Sequence, residues 1–527
     1  MIGWLLDLVG MRSYRYGFIV LRMADVFGFS FFILFVAAVS CRLPLLIDHG
    51  CYCENFSFPG RSKAGIGFPF ALSGSLPSLR FEPYAAQGFW RNLFPLIGSL
   101  TWFLFVALAL LPSPPDGPNV PGSLLSKGDG RLLGPRVLDS VFVIVRVLHL
   151  IPSIAPCRGG PTTAVFDMVT ALRQRGVDAA IVATDDDGPG RLNLPLDQWF
   201  DLNDVPVRLF PRWSPPIAPL REFAISPALG RWLSGSLKSW DVMHVHALFC
   251  WPSTWGMALA RRHRLPYVLH SIGQLQRWSL QRSAWRKRLM LSLIENANLR
   301  GASLLQATSS LEAEDIARLG LNSKIRILPL GVPNQPPSTQ TVQPGQLLFL
   351  SRLHPKKRLE NLLQALALVR RRQPLLPWRL VVAGSGDPAY VARLQKLSQR
   401  LGLEQRCHWA GFATGAAKLE LLQTSAWFVL PSAAENFAIA AAESLAAGTP
   451  VILSPQVGIA AEVEQAGAGL ITGAEPEVLA ETLIQALQTS RAPFSDAALR
   501  LARERYAWPV IAADLEVIYR DLIAKTP

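Results

Sequence analysis

Pro431-Ser-Ala-Ala-Glu435-Asn436-Phe437-Ala438-Ile-Ala-Ala-Ala-Glu443-Ser-Leu-Ala-Ala-Gly448-Thr-Pro450 is the stretch whose reading decides the fold. An apolar run at 426–430 precedes it and another at 451–453 follows it. Each reads as a buried parallel strand. A helix between them, closed by Gly448 as C-cap with Pro450 just beyond, completes a β-α-β unit. The helix is almost wholly apolar, so it is expected to be buried on most sides. It carries one charge, Glu443, and a second, Glu435, stands at its mouth. A lone carboxylate on a buried helix costs roughly several kcal/mol unless something pairs with it. No basic residue lies within one turn of Glu443, so its partner is either distant in sequence or a ligand. Structural readings stand beside the ligand reading: Ser432-x-x-Glu435 fits a capping box, and Glu443 fits a buried ion pair. A sugar nucleotide would suit both carboxylates, since its hydroxyls donate to them.

Glu435 to Glu443 resembles the E-x7-E motif of retaining glycosyltransferases of the GT-B fold, family 4 in particular. The resemblance implies that Glu435 faces the donor sugar and Glu443 the nucleotide ribose. It also implies that the backbone amides of Asn436, Phe437 and Ala438 face the sugar or diphosphate at a helix N-terminus, a natural anion site. The family often has Gly on either side of the Phe, where this chain has Asn436 and Ala438.

A chain of 527 residues, half of them hydrophobic, is long enough for about three domains. Its net charge of +14 favours anionic partners: nucleotide diphosphates, lipid headgroups or nucleic acid. Six scattered cysteines without a C-x-x-C pair argue against a disulfide framework or a structural zinc site and suit the cytoplasm. His49, Cys51 and Cys53 are close in sequence, but spacing alone is a weak metal signal.

Residues 1–144 form a hydrophobic extension unlike the rest. Runs at 26–41 and 93–111 carry no charge, and the second approaches bilayer-spanning length. Arg12, Arg15 and Arg22 suit a cytoplasmic N-terminus, whereas Arg42, Arg61, Lys63, Arg80 and Arg91 between the runs break the positive-inside pattern. Two readings stand: a membrane hairpin, or a native start near Val145 with translated upstream DNA before it.

From 145 the chain is orderly. A strand at 147–151 leads to Gly159-Gly160-Pro161, a helix over 162–175 and a strand at 179–183, a Rossmann-type opening. The two glycines allow close backbone approach to a ligand, or simply a tight turn, and they resemble the family's loop near the donor phosphates and acceptor. Strands ending at His246 and His270 follow. A lone His is usually structural, but the resemblance makes His270 a candidate at the reacting centre and His246 a weaker one. Residues 277–291 are basic and aromatic, with Trp285, Leu289 and Leu293 on one helical face. That pattern suits a membrane surface or a solvated helix, and nothing in it supports nucleic-acid binding. The Pro-rich stretch 336–345 reads as a linker.

Beyond it, a strand at 347–351 leads to Arg352-Leu-His-Pro-Lys356-Lys357-Arg358 and a helix. Cations at a helix N-terminus oppose its dipole, which makes sense if an anion lies between. The segment resembles the family's Arg-x4-Lys diphosphate grip, with Arg352 and Lys357 matching and Arg358 where Gly is usual. Gly384 ends the next strand and resembles a nucleotide-side loop; Trp409 and Phe412 match the strand edge that touches the base. A last helix over 510–524 has the spacing of a docked helix.

The expected architecture is α/β: a GT-B fold of two Rossmann-like domains facing across a cleft. The acceptor domain spans 145–335, the nucleotide-sugar domain 336–508, and a C-terminal helix at 509–527 packs back on the first. The resemblance implies a retaining glycosyltransferase of the hexosyltransferase type, with a nucleotide-sugar donor and a saccharide or lipid-linked acceptor, in cell-surface polysaccharide synthesis. Arg352 and Lys357 would stabilise the departing diphosphate with no metal or other cofactor, Glu435 the oxocarbenium-like sugar, and His270 would position the acceptor. Partners would include the inner face of the cytoplasmic membrane. The rival readings are a sugar-nucleotide epimerase or phosphorylase on the same fold, and a non-catalytic membrane-associated scaffold.

Overall fold

A computed structural model describes residues 144–321, 324–335 and 340–526. The apolar runs at 26–41 and 93–111, the His49/Cys51/Cys53 group and linker residues 336–339 lie outside the described residues. Among the described residues no helix is long and apolar enough to cross a membrane.

The first sheet contains β1 (Arg146–Ser153), β2 (Asp178–Thr184), β3 (Trp199–Leu202), β4 (Val205–Phe210), β5 (Val242–His246), β6 (Tyr267–His270), β7 (Leu304–Ala307) and β8 (Ile325–Ile327). Their order is β8-β7-β6-β5-β1-β2-β4-β3, parallel throughout except for the β3–β4 pair. The second sheet is wholly parallel: β9 (Gln346–Leu350), β10 (Arg379–Ala383), β11 (Cys407–Gly411), β12 (Trp427–Leu430), β13 (Val451–Leu453) and β14 (Gly469–Ile471), in the order β11-β10-β9-β12-β13-β14. The inner strands are apolar on both faces because helices cover both sides of a parallel sheet. In β12, all four residues are buried.

Six helices bear on the site: α1 (Gly160–Gln174), α2 (Ser310–Ala317), α3 (Leu359–Arg372), α4 (Gly415–Thr424), α5 (Ile439–Ala446) and α6 (Trp508–Ala524). α1 begins two residues before the expected position because Pro161 fits the first turn, with Gly159 left-handed before it. α6 packs on α1 and β5 of the first sheet, and Tyr519 Oη lies 2.7 Å from His244 Nδ1. The chain therefore passes between the sheets twice, and the two passages touch. Val332 pairs with Ala507, and its N–H donates to Tyr506 O at 2.7 Å. Gly331 makes this possible, since a Cβ there would lie 2.2 Å from Trp508 Cδ2.

The segment 277–293 is not one amphipathic helix. It forms short helices, Arg277–Gln281 and Ala284–Met290, then a π turn at Leu291–Glu295. Ser283 at φ 52° interrupts it, because a left-handed residue cannot continue a right-handed helix. Trp285 and Leu293 are half exposed.

Candidate active site

The decisive helix, α5, starts at Ile439 with Ala438 as N-cap at φ 76°. Ser432 does not cap it, so the capping-box reading fails. The Glu435 N–H donates to Gln456 O at 3.0 Å, and Gly458 N–H donates back to Glu435 O at 3.1 Å. These two bonds hold the segment extended and move the N-cap from Ser432 to Ala438, six residues later. A Cβ on Gly458 would lie 1.8 Å from Asn436 O, so glycine is obligatory there. The amides of Asn436, Phe437, Ala438, Ile439 and Ala440 donate to no backbone carbonyl among the described residues. They are the donors that a helix start leaves for an anion. The Phe437 side chain is buried edge-on against Tyr506, so only its backbone can serve the site.

Lys357 closes a single turn of 3-10 helix, Pro355–Lys357, that precedes α3. Its Nζ lies 2.5 Å from Glu435 Oε1. Arg352 makes no hydrogen bond or ion pair among the described residues, and a Cβ on Gly159 of the first lobe would lie 3.7 Å from its Nη2. Two cations that the sequence reading passed over join them. Lys356 Nζ sits 4.4 Å from the Trp278 ring centre, and Arg282 stacks on the same ring at 5.2 Å. Burial lowers the Lys356 pKa; Glu435 pulls it up, while Lys357, Arg282 and Arg352 push it further down. His354 is likewise lowered by burial and then by the same four cations. Four cations facing one carboxylate is an unbalanced cluster, and such clusters bind anions.

Glu443 takes the structural partner that its burial demanded: Lys418 of α4, 2.6 Å from Oε1 and 25 residues away in sequence. Phe412, 74% exposed, is on the loop just before α4. Asp167 on α1 faces this pair from the other lobe. Its pKa is raised, by burial first, while among nearby charges Glu443 raises it and Lys418 lowers it.

The first lobe closes the site. A Cβ on Gly160 would meet Ile439 Cδ1 at 3.0 Å, and one on Gly273 would meet Asn436 Cβ at 2.9 Å. The Gly273 loop is pinned by Glu312 at the first turn of α2. Its carboxylate accepts from Ser271 Oγ (2.8 Å), Gly273 N (2.9 Å), Thr308 N (2.8 Å) and Thr308 Oγ1 (2.9 Å). Ser309 caps α2 by accepting from Glu312 N. The Ser-x-x-Glu signature at 309–312 was thus readable in the sequence and was missed.

His270 is only 3% exposed. Strand register aligns His149 with His244, and His246 with His270, so four imidazoles form one buried row. His149 Nδ1 and His246 Nε2 are 3.0 Å apart, and His246 and His270 face each other through Nδ1 at 3.5 Å. Burial pushes His149 down to about 3 and lowers the other three, so the row is neutral. His149, His244 and His246 offer nitrogens within 4.8 Å of one another. However, His244 and His246 stack at 4.3 Å and 21°. In-plane lone pairs on nearly parallel rings cannot point at one ion, so the trio is not arranged to hold a metal.

Gly384 has a packing role. At φ 139°, a Cβ on it would lie 1.9 Å from Ser351 O. It allows β10 to end close against the turn that carries Arg352.

Residues 334–504 match the family described as glycosyl transferases group 1, and residues 159–331 match the glycosyl transferase 4-like domain. The matches abut near the point where the chain leaves the first sheet for the second. Over residues 334–504 the chain belongs to the glycosyl transferases group 1. A D-inositol 3-phosphate glycosyltransferase of Corynebacterium urealyticum is 30% identical over 180 residues, 33% of this chain and 42% of that protein. The chain thus spans less than half of that relative. A GDP-mannose:cellobiosyl-diphosphopolyprenol alpha-mannosyltransferase of Komagataeibacter xylinus is 25% identical over 402 residues, 72% of this chain and 94% of that one. Anabaena Alr3699/HepE, solved with UDP and glucose, superposes with a TM-score of 0.55 at 21% identity, covering 72% of this chain and 100% of that one. That likeness shows the GT-B fold.

Two departures of this group 1 protein from the usual glycines now have a structural meaning. Ala438 and Arg358 both sit at positive φ, 76° and 52°, where a side chain costs about 1–2 kcal/mol. Ala438→Gly is therefore expected to stabilise the chain by about 1 kcal/mol, seen as a higher urea midpoint. An unchanged or lower midpoint would show that the residue is not strained.

Proposed function

We propose that the protein is a retaining glycosyltransferase that moves a sugar from a nucleotide-sugar to a saccharide or lipid-linked acceptor in cell-surface polysaccharide synthesis. It would work in the cytoplasm against the inner face of the membrane. One observation carries the reading. Arg352, Lys357 and Glu435, remote in sequence, gather beside the unpaired amides that open α5. As the nucleoside diphosphate leaves, charge grows on its oxygens. Arg352 and Lys357 meet that charge with the α5 amides, as fixed donors that need no reorganisation. Arg352 can grip bidentately, while Lys357 supplies a point charge. Glu435, released from Lys357 as that cation turns to phosphate, faces the electron-poor anomeric carbon. Attack by an acceptor hydroxyl on the face the diphosphate leaves, with its proton passing to the departing phosphate oxygen, retains configuration without a covalent enzyme intermediate. His270, buried beside the Ser271–Gly273 loop, is a positioning residue in this scheme, and transfer draws on no metal. The acceptor in the name of the Komagataeibacter xylinus relative, cellobiosyl-diphosphopolyprenol, supports the lipid-linked alternative.

Labelled UDP-, GDP- and ADP-sugars incubated with a lipid extract test this, with NMR of the new anomeric centre. A product of inverted configuration, or donor turnover without a glycosyl product, would overturn it, the second in favour of the epimerase. Glu443→Gln is expected to raise the donor KM about tenfold with kcat little changed, as loss of a charged ribose acceptor should. A fall in kcat at constant KM would remove Glu443 from that role.

A further inference from the structure

The segment 277–293 carries Arg277, Arg282, Arg286, Lys287 and Arg288, yet no ion pair among the described residues uses any of them. Three lie instead over aromatic faces: Arg282 over Trp278 at 5.2 Å, Arg286 over Trp285 at 5.4 Å and Lys287 over Phe249 at 5.4 Å. A guanidinium stacked on a ring is held in place while its edge N–H donors remain available to an anion. Lys287 is further tied to its own segment, donating to Ser279 O at 2.6 Å, which leaves Arg282 and Arg286 as the exposed, oriented cations.

The position of this patch gives it meaning. The Trp278 ring is shared between Arg282 of the first lobe and Lys356 of the second, so the patch is continuous with the donor grip. At its other end Trp285 is 50% and Leu293 48% exposed. Next to the anion cluster the surface therefore offers two guanidiniums, each on its own tryptophan, and then apolar side chains.

We propose that Arg282 and Arg286 hold the diphosphate of a lipid-linked acceptor, with Trp285 and Leu293 against the first apolar units of its chain. This rests on the glycosyltransferase reading and names its acceptor class. Two guanidiniums can form parallel hydrogen bonds to diphosphate oxygens, whereas a neutral sugar acceptor has no use for them. Arg282 and Arg286 are exposed, so replacing them leaves the fold intact.

The test uses the full chain and two acceptors, a disaccharide diphosphate on a short, water-soluble prenyl chain and the free disaccharide. Arg286→Gln is expected to raise the KM for the diphosphate acceptor about tenfold and leave that for the free sugar unmoved, and Arg282→Gln to raise the KM for the diphosphate acceptor by a similar factor. Calorimetric titration of the diphosphate acceptor into protein without donor should weaken by the same factor, and this readout is independent of transfer. Binding that survives when no sugar nucleotide is ever turned over would uphold the diphosphate site and defeat the glycosyltransferase reading. Equal use of both acceptors by the wild type, or wild-type KM values in both variants, would overturn the site. So would loss of binding to anionic phospholipid vesicles with acceptor KM unchanged, which would make the patch a membrane contact.

Discussion

Lys357→Ala should lower kcat/KM for sugar transfer by about 1000-fold, roughly 4 kcal/mol of lost transition-state stabilisation. Two losses combine. The departing diphosphate loses a cation held by its own turn of helix, and Glu435 loses the partner 2.5 Å from its carboxylate. A stranded carboxylate beside the leaving group repels the charge that develops there. Adding Glu435→Gln to Lys357→Ala should therefore cost less than the sum of the two single effects, because the residues share one interaction. Initial rates at sub-saturating donor, in a double-mutant cycle, measure this. Strict additivity, or a fall of less than about tenfold in the single variant, would place the diphosphate elsewhere.

Glu312→Ala should be the most damaging single substitution for stability, costing about 3–5 kcal/mol. The side chain is fully buried and accepts four hydrogen bonds from residues on both sides of β7. Removing it leaves four donors without acceptors. Glu312→Gln keeps the shape but turns an amide donor toward N–H or O–H groups, so it should still cost about 1–3 kcal/mol. Urea midpoints separate the two variants. Because Gly273 lies against Asn436, both should also raise the donor KM. If Glu312→Ala unfolds at the wild-type midpoint, the loop is held by other contacts.

The strands were the most legible part of the chain. Runs such as Trp427–Leu430 and Tyr267–His270 are apolar or nearly so and short, and a parallel sheet covered on both faces leaves little other use for them. The four residues Arg352, Lys357, Glu435 and Glu443 were visible for a related reason: charge in or beside an apolar helix and turn needs explaining. Other features were hidden because they depend on pairs far apart in sequence. Lys418 gave no sign that it faces Glu443, and Lys356 no sign that it would meet Trp278 of the other lobe. The start of α5 was misplaced because backbone bonds to Gln456 and Gly458 override the local capping signal of Ser432. The break at Ser283 had no signature either, since nothing in the composition of 277–291 marks a left-handed residue.

The contact between Val332 and Ala507 bears on how the enzyme would open. Two strands of polypeptide cross between the lobes side by side, joined by the bond from Val332 to Tyr506. Such a paired strap bends about one axis and resists swivelling. Each opening and closing should then return Arg352 to the Gly159 loop and Asn436 to Gly273 in the same register, so that alignment is inherited from the strap and need not be searched for at every turnover.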